Sequence, residues 1–180
     1  MAEVKVRAAV SPDYSVLSAF DHTVKTDMVW QLDRFTDNGN ESINFREIRL
    51  PRPIRVEYPY STGSLLERSK VLSIVLLACM EEVPIAYLGL TTYHASSSTW
   101  VKDLVVHERW RQRGFATVLI RAAYDWSIER NIYRITLEMS SKNFPAISLA
   151  RKIGFEFCGY DEYYYANNDI ALFFTKQFRK

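Results

Sequence analysis

The 180-residue chain is expected to fold as one α/β (α+β) domain spanning 1–180, with a mixed central sheet of about six to seven strands flanked by helices. Three observations carry this expectation. The stretch from Val71 to Val106 reads as three successive strands joined by short polar turns. From Gly114 the apolar spacing becomes helical, and strand alternation returns at Tyr133. The remainder reads helix, strand, strand.

The first third is the least patterned. Asp13 to Phe20 suits a helix start and Val24 to Arg34 a strand. Asp37-Asn38-Gly39-Asn40 is a turn signal. Arg46 to Glu57 alternates in part, but Pro51 and Pro53 suit an irregular or edge segment. Gly63 to Lys70 suits a short helix or loop. Val71 to Ala78, rich in Val, Ile and Leu, reads as a buried strand. Glu81-Glu82-Val83-Pro84 reads as a turn, and Ile85 to Tyr93 as the hairpin partner. Ala95 to Ser98 is a polar connection before a third strand, Trp100 to Val106.

Beyond Gly114, Val118, Leu119, Ala122, Ala123 and Trp126 fall at helical spacing, with Arg121 and Asp125 on the other side. Arg130-Asn131 ends that helix. Tyr133, Ile135, Leu137 and Met139 alternate with Arg134, Thr136 and Glu138, as a strand does. A second helix runs from Phe144 to Lys152, with Pro145 in its first turn and Gly154 as its C-terminal cap. Phe155 to Tyr165 and Ile170 to Phe178 read as a closing pair of strands.

Composition excludes several classes. A net charge of +2 without any Lys/Arg run argues against a nucleic-acid partner. The longest apolar stretch, Val71 to Met80, is too short to span a bilayer, and the first ten residues carry scattered charge instead of a signal core. No membrane partner is expected. Cys79 and Cys158 have no metal-ligand spacing, which implies buried free thiols, no metal and a cytoplasmic location. A homodimer is compatible with the sequence.

The segment that carries chemistry follows the third strand: Arg111-Gln112-Arg113-Gly114-Phe115-Ala116. Small residues at 114 and 116 let the backbone approach a ligand closely. Consecutive N–H groups at a helix start form an anion cradle, aided by the helix dipole. Arg111 and Arg113 add positive charge. Alone, such a motif is as readily a turn with solvated arginines. Between a Leu104-Val105-Val106 strand end and an amphipathic helix it points to a bound phosphate or pyrophosphate.

This loop resembles the coenzyme A-binding motif of the GNAT N-acetyltransferases, [Q/R]-x-x-G-x-[G/A]. Leu137-Glu138, Asn143, Ala146 and Lys152-Ile-Gly-Phe155 fit as well, and the resemblance is detailed from Ile85 to Lys180. Within the superfamily it resembles the streptothricin acetyltransferases most. Asp103-Leu-Val-Val106, Gly154-Phe155 with Gly159-Tyr-Asp161, Tyr165 and Asp169 to Phe174 carry that likeness. The resemblance implies acetyl-CoA as cosubstrate. The pantetheine arm would pair with the backbone of Leu104, Val105 and Val106, between splayed strands. The amides of Gln112, Arg113, Gly114, Phe115, Ala116 and Thr117 would hold the pyrophosphate. Asn143 would bond the pantetheine or nearby backbone.

Many members carry a tyrosine general acid two residues before the Lys of the second helix's Lys-x-Gly-Phe, in the pattern Leu-Tyr-x-Lys-x-Gly-Phe. Ala150 and Arg151 precede Lys152 here, with Ala150 where the tyrosine would stand. The acid is then expected from Tyr163-Tyr164-Tyr165, with Tyr165 first. Read as a strand, this run puts Tyr163 and Tyr165 on one face and Tyr164 on the other. Asp103 and Glu138 are the candidate bases. Asp161, Glu162, Asp169 and the N-terminal Asp21, Asp27, Asp33 and Asp37 could form an acidic wall for a cationic small-molecule amine, although Lys102 stands where those enzymes often carry Glu. A protein or peptide acceptor, and an acetyl-CoA-binding module without turnover, are the alternatives.

Overall fold

The computed structural model describes residues 4–60 and 65–178. In chain order the elements are β1 (Val4–Ala8), α1 (Asp13–Ser18), β2 (Val24–Asp37), β3 (Asn40–Val56), α2 (Leu65–Ser69), β4 (Ile74–Met80) and β5 (Val83–Tyr93). There follow β6 (Ser98–Val106), α3 (Phe115–Ile128), β7 (Arg134–Ser140), α4 (Phe144–Lys152), β8 (Glu156–Asp161) and β9 (Ala171–Gln177). Seven strands form one sheet in the order β1-β4-β5-β6-β7-β9-β8, while β2 and β3 pair separately. Among the described strands only β6 and β7 run parallel; α3 makes the crossover between them. None of the described helices is long and apolar enough to cross a membrane.

Both faces of the sheet are covered. Leu76, Leu88, Val101, Leu137 and Phe174 pack with Leu119, Ile120 and Ala123 of α3 and Ile147 of α4. Leu77, Tyr87 and Val105 pack on the other face with Leu17 of α1 and Leu65 of α2. The buried stripe of α3 is Phe115, Leu119, Ile120, Ala123 and Ser127, so Val118, expected inside, lies outside it. The four-residue step from 119 to 123 to 127 sets that face.

The β2–β3 ribbon closes through Asn38 and Gly39, at φ 46° and 81°. Two left-handed residues give a hairpin turn whose twist matches the strands. Arg46 to Val56 belongs to one long strand. Its register jumps from Thr26↔Ile54 to Met28↔Arg49, so Pro51 and Pro53 sit in the bulge, where no ladder N–H is required. Trp30 and Phe45 anchor the ribbon on Phe157 at centroid distances of 5.9 and 5.3 Å.

Four further expectations are corrected. Val71 is 79% exposed and β4 begins at Ile74. The β4–β5 turn is Glu81-Glu82 alone, both left-handed, so Val83 and Pro84 lie in β5. β8 stops at Asp161, and the tyrosine run follows in turns, since Asp161 accepts from the Tyr163 amide at 2.8 Å and breaks the ladder. Cys79 is buried but Cys158 is exposed. Of the expected helix or loop from Gly63 to Lys70, Gly63 and Ser64 lie outside the described residues.

Candidate active site

A fork in the sheet defines the site. The β6–β7 ladder has three pairs, ending at Val101↔Leu137. Beyond it β6 stays with β5 and β7 with β9, so the two strands part at Lys102 and Glu138. The cause is local. Opposite β5 the register passes from Leu90↔Val101 to Gly89↔Asp103, leaving Lys102 as a bulge residue. A bulge bends its strand and increases twist. It also shifts the alternation. Val101, Leu104 and Val106 pack on the α3–α4 side, whereas Asp103 and Val105 face α1 and α2. Gly89 makes room for this: a Cβ there would lie 2.9 Å from Asp103 Oδ2 and 2.8 Å from Leu72 Cδ1. Along Leu104, Val105 and Val106 the edge facing β7 has no strand partner among the described residues.

After β6, His107 caps a single 3-10 turn by accepting from the Arg109 amide. Gln112 and Gly114 are left-handed, at φ 60° and 88°, and α3 starts at Phe115. The first helical hydrogen bond runs from the Val118 amide to the Gly114 carbonyl at 3.1 Å. The amides of Phe115, Ala116 and Thr117 therefore point out of the positive end of a 14-residue helix. The exposed Arg113 guanidinium lies 5.0 Å from the Trp110 ring centroid. Arg111 is placed differently from a free phosphate clamp. It donates to the carbonyls of Val106 at 3.1 Å, Thr23 at 3.0 Å and Asp21, tying the loop to the entry of β2. On the facing arm Asn143 caps α4, its Oδ1 accepting from the Ala146 amide at 3.2 Å.

Between the arms lies a cleft of about 720 Å³ including its open mouth, lined by Leu104, Leu137, Asn143, Ala146 and Tyr165 and roofed by residues 56–60. The fork vertex holds two buried carboxylates. Asp103 accepts from the Arg68 guanidinium at 2.8 and 3.0 Å and from the Tyr58 hydroxyl. Burial, with the charge of Glu138 behind it, pushes the Asp103 carboxyl up to about 8; the Arg68 cation on both oxygens opposes that shift. Glu138 accepts from Tyr60 at 2.6 Å, Tyr164 at 2.6 Å, Tyr165 at 3.4 Å and the Lys102 ammonium. Burial first, and the Glu138 carboxylate second, hold the Tyr165 phenol far above its ordinary pKa, and burial raises Tyr60 and Tyr164 too. These hydroxyls remain protonated donors at neutral pH.

The structure thus brings together Asp103, Glu138, Leu104, Asn143, Ala146 and Tyr165 from the sequence expectation. Tyr164 joins Tyr165 on Glu138, instead of taking the opposite face, because the run is a turn. Tyr163 is 89% exposed and reaches nothing in the cleft. Ala150 is fully buried in the core against the sheet. The acidic wall is largely accounted for elsewhere: Asp27 and Arg49, Asp33 and Arg46, Glu162 and Arg34, and Asp169 and Lys142 are ion pairs. Sequence reading missed Tyr58, Tyr60, Arg68 and His22. His22 is buried beside the cleft between the Phe20 carbonyl at 2.7 Å and the Tyr87 hydroxyl at 3.0 Å, and burial lowers its pKa.

Comparison with known proteins agrees with this architecture. The family model for the acetyltransferase (GNAT) family matches residues 40–155. The chain belongs to that family and is an acetyl-CoA-dependent acetyltransferase. It is 28% identical to a streptothricin acetyltransferase of Streptomyces lavendulae over 164 residues, covering 88% of this chain and 85% of that one. The fold is shared with nourseothricin acetyltransferase, at a TM-score of 0.81 and 22% identity, over 97% of this chain and 98% of that one. A candidate streptothricin acetyltransferase from Bacillus anthracis str. Ames, solved in complex with acetyl coenzyme A, aligns at a TM-score of 0.75 and 18% identity, over 99% of each chain.

Proposed function

We propose that this chain transfers the acetyl group of acetyl-CoA to a primary amine of a small molecule of the streptothricin type. The observation that carries this is the roofed cleft at the fork vertex, where Glu138 collects three phenols and an ammonium. In this reading the free edge of Leu104, Val105 and Val106 pairs with the pantetheine arm. The amides from Gln112 to Thr117, at the head of α3, hold the pyrophosphate, with Arg113 supplying charge and Arg111 fixing the loop's shape. Asn143 and Ala146 line the opposite side of the arm. The alignment with an acetyl-CoA complex supports the assignment.

The chemistry asks three things of the chain's own residues. Glu138, which can pass protons through its phenol partners, accepts the proton of the attacking amine, with Asp103 as the other carboxylate in reach of the cleft. Tyr165 donates to the departing thiolate in place of the residue absent at 150. The roof of 56–60 excludes water and aligns the reactants, which is worth several kcal/mol of barrier in well-oriented reactions, roughly 7–11 at most. The roof also narrows the cleft against an extended peptide, favouring a small acceptor.

A panel of amines, including streptothricin and amino-terminal peptides, assayed for thiol release from acetyl-CoA, tests the proposal. Turnover with streptothricin-type amines is the expected result. Turnover with peptides only would replace the acceptor class, and acetyl-CoA binding without release from any amine would leave a binding module.

A further inference from the structure

We propose that Lys102 is itself an acetyl acceptor: with acetyl-CoA in the fork and no amine in the cleft, its Nζ takes the acetyl group. This rests on the reading of the fork as the acetyl-CoA site. Lys102 is the bulge residue, and it and Glu138 are the first residues beyond the last β6–β7 pair. Their ion pair therefore closes the crotch of the fork. A thioester carried along Leu104 to Val106 ends at this point.

The surroundings of Nζ are those of a receptor for an alkylammonium group. It bonds the Glu138 carboxylate and the Tyr164 hydroxyl. The Trp100 and Tyr164 ring centroids lie 5.8 and 5.0 Å away. Carboxylate, hydroxyl and ring faces together select a primary ammonium. The chain thus stations one of its own amines where an acceptor amine has to arrive. The side chain of Lys102 is only 15% exposed, against 65% for Lys5 and 62% for Lys70. Indiscriminate chemical acetylation would favour those two surface lysines.

The step balances without a further reactant. Glu138 takes a proton from Nζ, and the freed lone pair attacks the thioester carbonyl carbon. The new C–N bond forms, the C–S bond breaks, the adduct nitrogen gives its second proton to the departing thiolate, and the proton held by Glu138 passes to solvent. The product is an uncharged amide. Glu138 then loses its internal cation, so the modification alters the charge that an incoming amine meets.

The test is incubation of the full chain with acetyl-CoA and no acceptor, followed by intact mass and peptide mapping, with acetyl-CoA affinity measured separately by calorimetry. One acetyl group is expected at Lys102, appearing faster than at Lys5 or Lys70 and saturating with acetyl-CoA. In Glu138→Gln the rate at Lys102 should fall roughly a hundredfold, the low end for a lost general base, while Lys5 and Lys70 are unaffected. Lys102→Arg should leave the intact mass unchanged over the same period. If acetyl-CoA binds but Lys102 is modified no faster than Lys5 and Lys70, or Glu138→Gln leaves its rate unchanged, the proposal is wrong and the fork assignment stands. If acetyl-CoA does not bind, both fall.

Discussion

Replacing Arg68 with Met should cost stability in a pH-dependent way. Arg68 places Nη2 2.8 Å from Oδ1 and 3.0 Å from Oδ2 of Asp103, whose side chain has no exposure. Methionine keeps much of the aliphatic bulk, including contact with the Tyr60 ring, over which the guanidinium now sits at 3.9 Å. Among the described residues the carboxylate is left with the Tyr58 hydroxyl alone. Burial and Glu138 hold Asp103 up to about 8. That is about four units above a free aspartate, and at ~1.4 kcal/mol per unit ionisation in the fold is opposed by on the order of 5 kcal/mol. Breaking buried pairs by removing one partner costs about 3–5 kcal/mol, a similar figure.

The sign follows from proton binding. Between about pH 4 and 8 the folded carboxyl keeps a proton that the unfolded chain has released, so stability falls as pH rises through that window. In the wild type Arg68 limits the fall; in Arg68→Met the carboxyl loses that cation, its pKa rises further, and the fall deepens. Chemical denaturation should show a loss of about 3–5 kcal/mol at about pH 8.5, most of it regained near pH 5. In melting temperature this is roughly 6–20 °C for a domain of this size. Adding Asp103→Asn to Arg68→Met should flatten the pH dependence. A loss under about 1 kcal/mol at high pH, or equal losses at both pH values, would refute the reasoning, since typical exposed pairs contribute no more than that.

Gly114→Ala should fold, because no atom lies within 4 Å of a Cβ there, at a cost of about 1–2 kcal/mol for its φ of 88°. If the amides at the head of α3 cradle pyrophosphate, calorimetry should show at least about tenfold weaker acetyl-CoA binding, equivalent to ~1.4 kcal/mol; unchanged affinity in the folded variant would count against the cradle. Arg111→Lys should weaken acetyl-CoA binding and destabilise the loop together, because an ammonium cannot satisfy the three carbonyls the guanidinium spans. Loss of affinity with unchanged hydrogen-exchange protection at Asp21 to Thr23 would instead mean a direct charge contact. Tyr165→Phe should lower kcat roughly a hundred- to ten-thousandfold, with acetyl-CoA affinity nearly unchanged; wild-type kcat where chemistry limits turnover would leave Tyr164 or an acid-free route.

Helices α3 and α4 were legible because their stop and start chemistry is local. Asn143, Pro145 and Gly154 act within a turn of their own position, and each is where its type predicts. The β4–β5 hairpin was legible from its apolar runs, although two glutamates, residues with no turn preference, adopt its left-handed turn. The anion loop was legible because a strand end, Gly114 and an amphipathic helix are contiguous. The partners of the carboxylates were not. Tyr58 and Arg68 reach Asp103 across 45 and 35 residues, and Tyr60 reaches Glu138 across 78. No spacing in the chain encodes such meetings. The tyrosine run misled because three aromatics favour a strand by composition, while the Asp161 side chain, one residue's hydrogen bond, ends it.

The bulge at Lys102 has a consequence for how this gene can vary. A substitution at 102 alters one side chain in the cleft. Deleting the codon would return β6 to unbroken two-residue alternation and leave its last four residues on the faces and opposite the β5 partners they now have, but without the bend. Asp103 and Val105 would still face α1 and α2, and Leu104 and Val106 would still pack beneath α3. What would go is the bend that parts β6 from β7 after Val101 and Leu137, and with it the slot between the two strands. In this strand the count of residues constrains inheritance more tightly than their identity, and insertions or deletions between 101 and 106 should be far rarer among functional variants than replacements.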